Sequence, residues 1–304
     1  MYDLIIIGAG PAGLSAAVYG RRAGLDLLVI EQTPMGGGQV INTYEVDNYL
    51  GLPGINGFEL GQKFRQHADG QGAVFHIGKA VKISDDGEKK SVTLADGTVF
   101  AARALILAGG AEHTKLGVPG EDTFRGQGVS YCATCDGAFF KKRDVAVIGG
   151  GDVAVEDAIY LSRFCRNVFL IHRRDSLRAA KSLQEKLFAC ENVEVVWDSV
   201  LLAIEGGDLV EKIRIRNQKE EAEREIPVEG VFIAVGMHPD TEAYKELVAC
   251  DENGWLIAGE DCKTDVPGIF AAGDIRTKRL RQIVTAVSDG ACAVASAEQY
   301  LSLR

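Results

Sequence analysis

Residues 4–13 read Leu-Ile-Ile-Ile-Gly-Ala-Gly-Pro-Ala-Gly, and the architecture of the chain follows from them. The four apolar residues predict a strand that is buried on both faces. The glycines predict a tight turn, and the apolar spacing behind Gly13 predicts a helix that runs to about Arg21. A second apolar run then ends in Glu31, eighteen residues after Gly13. Strand, glycine turn, helix, strand and acid in this order indicate a dinucleotide-binding module.

Each part of this module has a physical role in holding a nucleotide. Glycines let the backbone approach a pyrophosphate closely, and the N-terminus of the helix offers free N–H groups with a partial positive charge. A carboxylate at Glu31 can accept hydrogen bonds from ribose hydroxyls. The candidate nucleotide-binding residues of this first module are Gly8, Gly10, Pro11, Ala12, Gly13 and Glu31.

The same pattern returns in the middle of the chain. A strand-like run at Val145–Ile148 leads into the glycine-rich segment Gly149–Ala154, and a helix and the strand-like run Val168–Ile171 follow. This internal repeat predicts a second nucleotide-binding module. The chain is therefore expected to be an α/β protein with two Rossmann-like, three-layer dinucleotide-binding domains.

The two modules differ at the position of the acid. Eighteen residues after Ala154 the sequence has His172, followed by arginines, where the first module has Glu31. A carboxylate repels a 2′-phosphate, whereas guanidinium groups pair with one, often through two hydrogen bonds. The first module is therefore expected to bind a nucleotide with a free ribose, and the second to bind NADPH. The candidate residues of the second module are Gly149, Gly151, Asp152, Val153, Ala154, His172, Arg173, Arg174 and Arg178.

Between the modules lies the segment Tyr131-Cys132-Ala133-Thr134-Cys135-Asp136-Gly137, which holds two cysteines separated by two residues. In a reducing compartment such a pair is catalytic or metal-binding rather than a structural cross-link. A zinc site needs two more ligands, and the neighbouring sequence supplies none, so we predict a redox dithiol and no metal. Asp136 has two interpretations: it moves a proton to or from a departing thiolate, or it caps the helix that follows. The other five cysteines are predicted to be small buried apolar residues.

Length and charge limit the possible functions. The chain has 304 residues, enough for two domains with cores of their own, and a net charge of −10. The negative charge argues against nucleic acid or an anionic membrane as the main partner. The sequence lacks the pattern of a signal peptide, and glycine and proline interrupt its first apolar run, so no membrane span is expected. We predict a cytoplasmic protein.

Breaks in the pattern indicate how the modules are joined. Pro119 and Gly120 interrupt the sequence around residues 112–120, and Pro239 interrupts it again further on. Each break is interpreted as a crossover between domains. The charged residues 219–225 are predicted to form a solvated turn between two strands.

Three further segments carry signals of a ligand or of a long element. The glycine cluster Gly36–Gln39 indicates a loop that passes close to a ligand. Phe270–Asp274 reads as a strand whose polar end suits the ribityl-phosphate region of a flavin. Arg281 and Gln282 open an apolar-periodic helix that is predicted to run to about Leu301.

With these motifs in place, the chain resembles the low-molecular-weight thioredoxin reductases of the two-domain bacterial type. The likeness covers nearly all of the sequence, and the string Cys132–Gly137 between two glycine fingerprints is highly specific. The motifs that carry it are Gly8–Gly13, Gly36–Gln39, Glu45-Val46-Asp47-Asn48, Cys132–Gly137, Gly149–Ala154, His172–Arg178, Phe270–Asp274 and Arg281-Gln282.

The resemblance implies FAD in the first module, NADPH in the second, a homodimer, and a large rotation between the domains. It implies an NADPH-binding domain with the dithiol at residues 114–238, inserted into an FAD-binding domain of residues 1–113 and 239–304. It also implies that Cys135 is the sulfur next to the flavin and that Cys132 attacks the disulfide of a protein partner. Further FAD-binding residues implied by the resemblance are Gln39, Asn48, Gly273, Asp274, Arg281 and Gln282.

The sequence departs from the pattern of this family at two positions, and it leaves alternative functions open. Several relatives have a basic residue where this chain has Gln127, which leaves the docking of the protein substrate undefined, and Val153 replaces a residue that is more often small and polar. No thioredoxin-like segment accompanies the dithiol, so we expect a separate thioredoxin or thioredoxin-like protein as substrate.

The alternative functions are a dithiol oxidase that uses oxygen, a reductase that takes electrons from a ferredoxin or from reduced flavin, and a non-enzymatic redox-sensing or zinc-binding flavoprotein. The arginines after His172 favour an NADPH-dependent thioredoxin reductase.

Overall fold

The computed structural model describes residues 1–43, 46, 48–87 and 89–303. Its helices are α1 (Pro11–Arg22), α2 (Gly57–Gly70), α3 (Ala133–Asp136), α4 (Asp152–Ser162), α5 (Lys181–Phe188) and α6 (Ile283–Ser302). Its strands are β1 (Tyr2–Ile7), β2 (Leu27–Glu31), β3 (Val74–Ile77), β4 (Ala80–Asp85), β5 (Lys90–Leu94), β6 (Val99–Leu107), β7 (Ala111–His113), β8 (Val129–Ser130), β9 (Asp144–Gly149), β10 (Asn167–Ile171), β11 (Val193–Val196), β12 (Ser199–Gly206), β13 (Val210–Asn217), β14 (Glu223–Pro227), β15 (Gly230–Ala234), β16 (Met237–Pro239) and β17 (Ile269–Ala271). Short 3-10 helices lie at Gly38–Asn42, Gly137–Phe140 and Gly273–Ile275.

The chain divides into two units by compactness. Unit 1 comprises Met1–Glu45, Tyr49–Glu112 and His238–Arg304. Unit 2 comprises Val46–Asn48 and His113–Met237. The strands that contain the two later boundaries, β7 and β16, pair with each other as a two-stranded sheet.

Unit 1 is built on a parallel sheet with the strand order β3-β2-β1-β6. The last four residues of β1 pair with β2 on one side and with the end of β6 on the other, so the strand is central. Strand β17 pairs in parallel with the end of β6, whereas β5 pairs antiparallel with its beginning. Leu4 and Ile6 pack among residues of α1 and α6, while Ile5 and Ile7 pack among residues of β4 and β5. This two-residue period is what a central strand between two layers requires.

Unit 2 repeats this arrangement. Its parallel sheet has the order β11-β10-β9-β15-β8, and the antiparallel sheet β12-β13-β14 takes the place of the β4–β5 layer. Val145 and Val147 of β9 pack among residues of α4, and Ala146 and Ile148 pack among residues of the antiparallel sheet. Each unit therefore consists of a helix layer, a parallel sheet and an antiparallel layer. The predicted α/β fold with two Rossmann-like domains is confirmed.

One local prediction was only partly right. Residues 219–225 were expected to form a solvated turn, and residues 219–222 are exposed and lie between two strands, but β14 already begins at Glu223 and pairs with β13. Charged side chains are tolerated in this exposed strand because Glu223 lies 3.4 Å from Arg214 and Glu225 lies 2.8 Å from Lys212 across the pair. Among the described residues, no helix combines the length and the apolar character that crossing a bilayer requires.

Candidate active site

The glycine turn of unit 1 brings its backbone into very close packing. A side chain at Gly13 would collide with the carbonyl oxygen of Gly8, because the first turn of α1 lies directly against the end of β1. Helix α1 begins at Pro11, and its N-cap residue Gly10 provides no side-chain cap. The N–H groups of the first turn are therefore available to an anion. Glu31 ends β2, and its carboxylate accepts a hydrogen bond of 2.7 Å from the N–H of Ala9 in the turn.

Two other segments flank this turn. The N–H of Gly37, in the glycine-rich loop, donates to the carbonyl of Ala9 at 2.7 Å. On the other side, a side chain at Gly273 would lie 2.8 Å from the Cβ of Ala12 in α1. Next to it, the Oδ1 atom of Asp274 is buried without a hydrogen-bond partner among the described residues, and burial raises the pKa of this carboxyl group. A buried, unpartnered oxygen beside an uncapped helix N-terminus fits a ligand with phosphate and hydroxyl groups, as FAD has.

The remaining residues predicted for the first nucleotide have different surroundings. The Gln39 amide donates to the carbonyl of Ala111. The Arg281 guanidinium lies 3.7 Å from the centre of the Trp255 ring, and Gln282 is the N-cap residue of α6. Asn48 is exposed and groups with unit 2. The predicted motif residues Glu45 and Asp47 lie outside the described part of the chain.

The second glycine turn repeats the geometry of the first. Helix α4 begins at Asp152, and its N-cap residue Gly151 provides no side-chain cap. The Asp152 carboxylate accepts a hydrogen bond of 2.8 Å from the N–H of Ala180, and Val153 is exposed. Ala154 is fully buried, and its methyl group would be 2.6 Å from a side chain at Gly149. Small residues are therefore required where the helix meets the end of β9.

The basic segment after β10 contains two kinds of residue. His172 is buried, and its ring lies between backbone carbonyls. Arg173, Arg174 and Arg178 are exposed, and within the described chain their guanidinium groups have no ion pair. Three such cations on one loop could together bind an anion.

The dithiol lies at the start of a short helix. Cys132 is the N-cap residue of α3, and the structure has a disulfide between Cys132 and Cys135 with Cα atoms 5.3 Å apart. The N–H groups of Cys135 and Asp136 donate to the Cys132 carbonyl at 3.2 and 3.1 Å, which fixes the turn. Among the described residues, no cluster of His, Cys, Asp and Glu side chains could hold a metal ion.

Asp136 is a half-buried acid that directly follows Cys135 of the disulfide. Its Oδ2 atom accepts a hydrogen bond of 2.6 Å from the Ser130 hydroxyl, and its Oδ1 atom has no partner within the described residues. Burial raises the pKa of Asp136, and the hydrogen bond from Ser130 opposes the shift. Its side chain forms no cap on the following 3-10 helix, so the interpretation as a helix cap was wrong.

Sequence reasoning missed the polar residues that support the dithiol. The Ser130 hydroxyl also accepts from the N–H of Cys132 at 3.0 Å. The Tyr131 hydroxyl donates to buried Glu121 at 2.6 Å, and the Glu121 carboxylate accepts from the N–H groups of Leu116 and Gly117. Burial and the contact with Glu121 raise the pKa of the Tyr131 phenol. In the sequence, only their closeness to the cysteines indicated that these polar residues could have a role.

The prediction that the other five cysteines are buried was only partly right. Cys165 and Cys262 are buried, and burial raises the pKa of these thiols to about 11 and about 12. Cys190 and Cys250 are half-buried, and Cys292 is exposed. Cys292 lies on α6, where the neighbouring Ala293 and Val294 face the core and the helical period turns position 292 outward.

Comparisons with known proteins agree with this arrangement. The family model described as pyridine nucleotide-disulphide oxidoreductase matches residues 2–290. A thioredoxin reductase of Listeria innocua is 47% identical over 302 residues, which cover 99% of this chain and 94% of that protein. The crystal structure of thioredoxin reductase from Streptococcus pyogenes matches with a TM-score of 0.96 and 45% identity, covering 100% of this chain and 99% of that one.

The chain belongs to the thioredoxin reductases of the pyridine nucleotide-disulphide oxidoreductase family. Membership implies the use of a flavin and a pyridine nucleotide. A more distant member of the same group is the structure described as a ferredoxin-flavin thioredoxin reductase from Clostridium acetobutylicum. It is 30% identical, with a TM-score of 0.54, and the match covers 100% of this chain and 99% of that one. Because the description of that protein names a ferredoxin, the electron donor of this chain is argued below from its own residues.

Proposed function

We propose that this protein is an NADPH-dependent thioredoxin-disulfide reductase. Electrons pass from NADPH through FAD and the Cys132–Cys135 pair to thioredoxin. In the balanced reaction, NADPH, a proton and thioredoxin disulfide give NADP⁺ and thioredoxin dithiol. The observation that carries the proposal is the disulfide followed by an acid whose Oδ1 atom is buried. The same unit holds a glycine turn and three arginines that form no ion pair with the described residues.

FAD is assigned to unit 1. The N-terminus of α1 would hold its phosphates, Glu31 its adenosine ribose, and Asp274 a hydroxyl of its ribityl chain. FAD supplies the redox group that exchanges a hydride with nicotinamide and an electron pair with a disulfide. The unpartnered Oδ1 of Asp274 supports this assignment, because a buried oxygen without a donor is costly unless a ligand satisfies it. We infer an FAD-binding domain of residues 1–113 and 239–304.

NADPH is assigned to residues 114–238. The N-terminus of α4 would hold the pyrophosphate, and the guanidinium groups of Arg173, Arg174 and Arg178 would pair with the 2′-phosphate. Glu31 stands at the matching register of the other module, so only the second module has the charge that a 2′-phosphate requires.

The cysteine pair performs thiol–disulfide exchange. The Cys132 thiolate attacks one sulfur of the thioredoxin disulfide, and the other thioredoxin sulfur leaves and takes up a proton. The sulfur of Cys135 loses its proton and attacks Cys132, which restores the Cys132–Cys135 disulfide. The second thioredoxin sulfur leaves as a thiolate and takes up a proton, so that thioredoxin is released as a dithiol. Asp136 takes the proton from Cys135 in this step and returns it in the opposite direction.

We further infer a cytoplasmic homodimer. The dimer follows from the family resemblance. The cytoplasm is supported by the five cysteines that the structure leaves without a disulfide, because thiols persist in reducing compartments.

The decisive experiment is anaerobic reduction of the bound flavin by NADPH and, separately, by NADH, followed by addition of oxidised thioredoxin. We expect NADPH to bleach the flavin at a far lower concentration than NADH, and thioredoxin to restore its colour. Cys135→Ser should still be bleached but should no longer transfer electrons to thioredoxin. Cys292→Ser, at an exposed thiol on α6 that forms no disulfide, is the matched control and should behave as the unchanged protein.

Each other outcome contradicts a defined part of the proposal. If neither nucleotide bleaches the flavin but a reduced ferredoxin or reduced free flavin does, the assignment of NADPH is wrong. If Cys135→Ser still reduces thioredoxin, the cysteine pair does not carry the electrons. If the reduced protein passes its electrons to oxygen and not to thioredoxin, the protein is a dithiol oxidase.

A further inference from the structure

His172 occupies an unusual position for a residue beside a nucleotide site. It is only 5% exposed, although it follows directly on the end of β10 and precedes the exposed arginines. Its Nδ1 atom lies 3.0 Å from the carbonyl oxygen of Gly149, and its Nε2 atom lies 2.9 Å from the carbonyl oxygen of Ser176. Gly149 ends β9 in the glycine turn, and Ser176 lies in the middle of residues 172–180, the arginine loop that connects β10 with α5. One imidazole ring therefore links the two segments.

Both ring nitrogens are committed to these carbonyl groups. A neutral imidazole carries one N–H and a charged one carries two, so at least one of the two contacts is a hydrogen bond in every protonation state. The ring also lies edge-on to Trp197, with centroids 6.2 Å apart. His172 therefore has no nitrogen left with which to contact a phosphate.

Two further contacts join the same segments. The N–H of Arg178 donates to the carbonyl of Gly150 at 2.8 Å, and the N–H of Ala180 donates to the carboxylate of Asp152 at 2.8 Å. A side chain at Gly150 would collide with the His172 ring, so the turn and the ring are in direct contact. Of the three links, only the one through His172 reaches the middle of the loop.

The arginine side chains on this loop have no other anchor. Arg173 and Arg174 are exposed and unpaired within the described chain, so only the backbone of their loop sets their position relative to the N-terminus of α4. A 2′-phosphate and a pyrophosphate belong to one nucleotide at a fixed separation. The distance between the glycine turn and the arginine loop therefore determines whether both can be bound at once.

We propose that His172 is the positioning residue for 2′-phosphate selectivity: its ring ties the arginine loop to the glycine turn and does not touch the nucleotide. The proposal rests on the assignment of NADPH to unit 2. It assigns His172 an indirect role at a position where register alone suggested a direct contact.

Two conservative replacements separate the two links. In His172→Asn, the side-chain amide can still reach the Gly149 carbonyl but not that of Ser176. In His172→Gln, the longer amide can reach Ser176 but not Gly149. Asp152→Ala, at an exposed residue, removes a different link without opening a buried cavity. His76→Asn, at a half-buried histidine in unit 1, is the control for replacing a histidine.

The test is calorimetric binding of adenosine 2′,5′-bisphosphate and of AMP, which lacks the 2′-phosphate, to the FAD-loaded proteins. We expect the unchanged protein and His76→Asn to prefer the bisphosphate. Both His172 variants should lose at least tenfold in affinity for the bisphosphate while AMP binding changes little, and Asp152→Ala should show a smaller loss. In turnover, KM for NADPH should rise while kcat at saturation stays near that of the unchanged protein. A variant with a damaged domain would instead lose both ligands.

A double substitution tests whether His172 acts through the arginines. In an Arg173→Leu/Arg174→Leu background, His172→Asn should cause no further loss of bisphosphate affinity. If the loss is the same in both backgrounds, or if the His172 variants keep the full preference for the bisphosphate, His172 is not a positioning residue. If His172→Asn fails to fold, the comparison of His172→Gln and Asp152→Ala decides, and an unchanged preference in these two overturns the proposal. If the unchanged protein itself shows no preference, the assignment of NADPH fails and this inference fails with it.

Discussion

The carboxyl group of Asp136 is under two opposing influences. Burial raises its pKa, since a charge is poorly solvated inside the protein, and the hydrogen bond from Ser130 favours the charged form and acts in the other direction. Under the proposed mechanism, Ser130 therefore affects the pH range in which Asp136 can accept a proton from Cys135. We expect this residue, which no sequence motif marks, to influence the chemistry of the dithiol.

We predict that Ser130→Ala shifts the pH dependence of thiol–disulfide exchange to higher pH. Without the hydroxyl, the carboxylate of Asp136 loses its hydrogen-bond donor. The pKa of Asp136 therefore rises further, and the carboxylate forms only at higher pH. The rate at which the reduced dithiol converts oxidised thioredoxin should therefore begin to rise at a higher pH than in the unchanged protein. Rapid quenching with a thiol-trapping reagent across a pH series measures this rate.

Two further variants serve as controls for that experiment. Asp136→Asn should lower the rate of thiol–disulfide exchange by about a hundredfold or more. It should also abolish the rise of this rate with pH that Ser130→Ala is expected to shift. Ser84→Ala, at an exposed serine in β4, should leave the profile unchanged. A Ser130→Ala profile that moves to lower pH, or does not move, would show that Asp136 is not the group that titrates.

At the scale of elements, α6 and the loop at its N-terminal side are joined by a buried charge cluster. Asp289 of α6 accepts from both sides of the Arg276 guanidinium at 2.7 and 2.8 Å, from Lys278 at 2.9 Å and from the N–H of Gly273 at 2.9 Å. Burial alone would raise the pKa of Asp289, but the two cations hold it below its ordinary value. This one side chain therefore binds three residues of the loop that carries Asp274 and ties the loop to α6.

We predict that Asp289→Asn lowers the free energy of unfolding by about 3 kcal/mol, because two buried cations lose their only close anionic partner among the described residues. FAD should also dissociate more readily, since the loop that carries Asp274 loses its anchor. Urea unfolding and the flavin-to-protein ratio after dialysis measure the two effects. Glu242→Gln removes an exposed pair with Lys245 and should change neither. If Asp289→Asn leaves both the midpoint of urea unfolding and the flavin content unchanged, the charge cluster does not hold the loop.

For the whole molecule, the main feature is that two modules of one architecture have different charges at matching positions. The strand orders β3-β2-β1-β6 and β11-β10-β9-β15 correspond one to one. Glu31 ends β2, whereas His172 and three arginines that form no ion pair with the described residues follow β10. The fold provides two similar glycine turns, and under the proposed function these few side chains determine which nucleotide each turn binds.

We predict that adenosine 2′,5′-bisphosphate protects only one of the two turns from hydrogen exchange. Amides at residues 149–155 and 172–178 should exchange more slowly when the ligand is present, because binding stabilises the unit that holds it. Residues 8–14 should be unaffected in the FAD-loaded protein. Mass spectrometry of the peptides measures both regions at once, and AMP serves as the matched ligand without the 2′-phosphate. Protection at residues 8–14 instead would reverse the assignment of the nucleotides.

The amino-acid sequence determined the elements and their repetition, because both depend on neighbouring residues. A buried central strand needs an apolar run, a tight turn needs glycine, and a helix needs apolar residues at its own period, so β1, α1 and β2 could be predicted from the first thirty residues. The same local rules identified β9, α4 and β10 and the dithiol. They misjudged Glu223–Glu225 because the ion pairs that place these charges in a strand come from β13.

Only the tertiary structure decided how each polar side chain is solvated and which group it contacts. His172 and Arg173 are adjacent in sequence, yet one is buried between two carbonyl groups and the other is exposed. Asp136 contacts Ser130 rather than capping a helix, and Asp289 binds a loop that precedes its own helix. Such properties depend on segments that meet only when the chain is folded. Local pattern therefore predicts where a nucleotide or a disulfide lies, and packing determines which side chains act directly and which act by holding others in place.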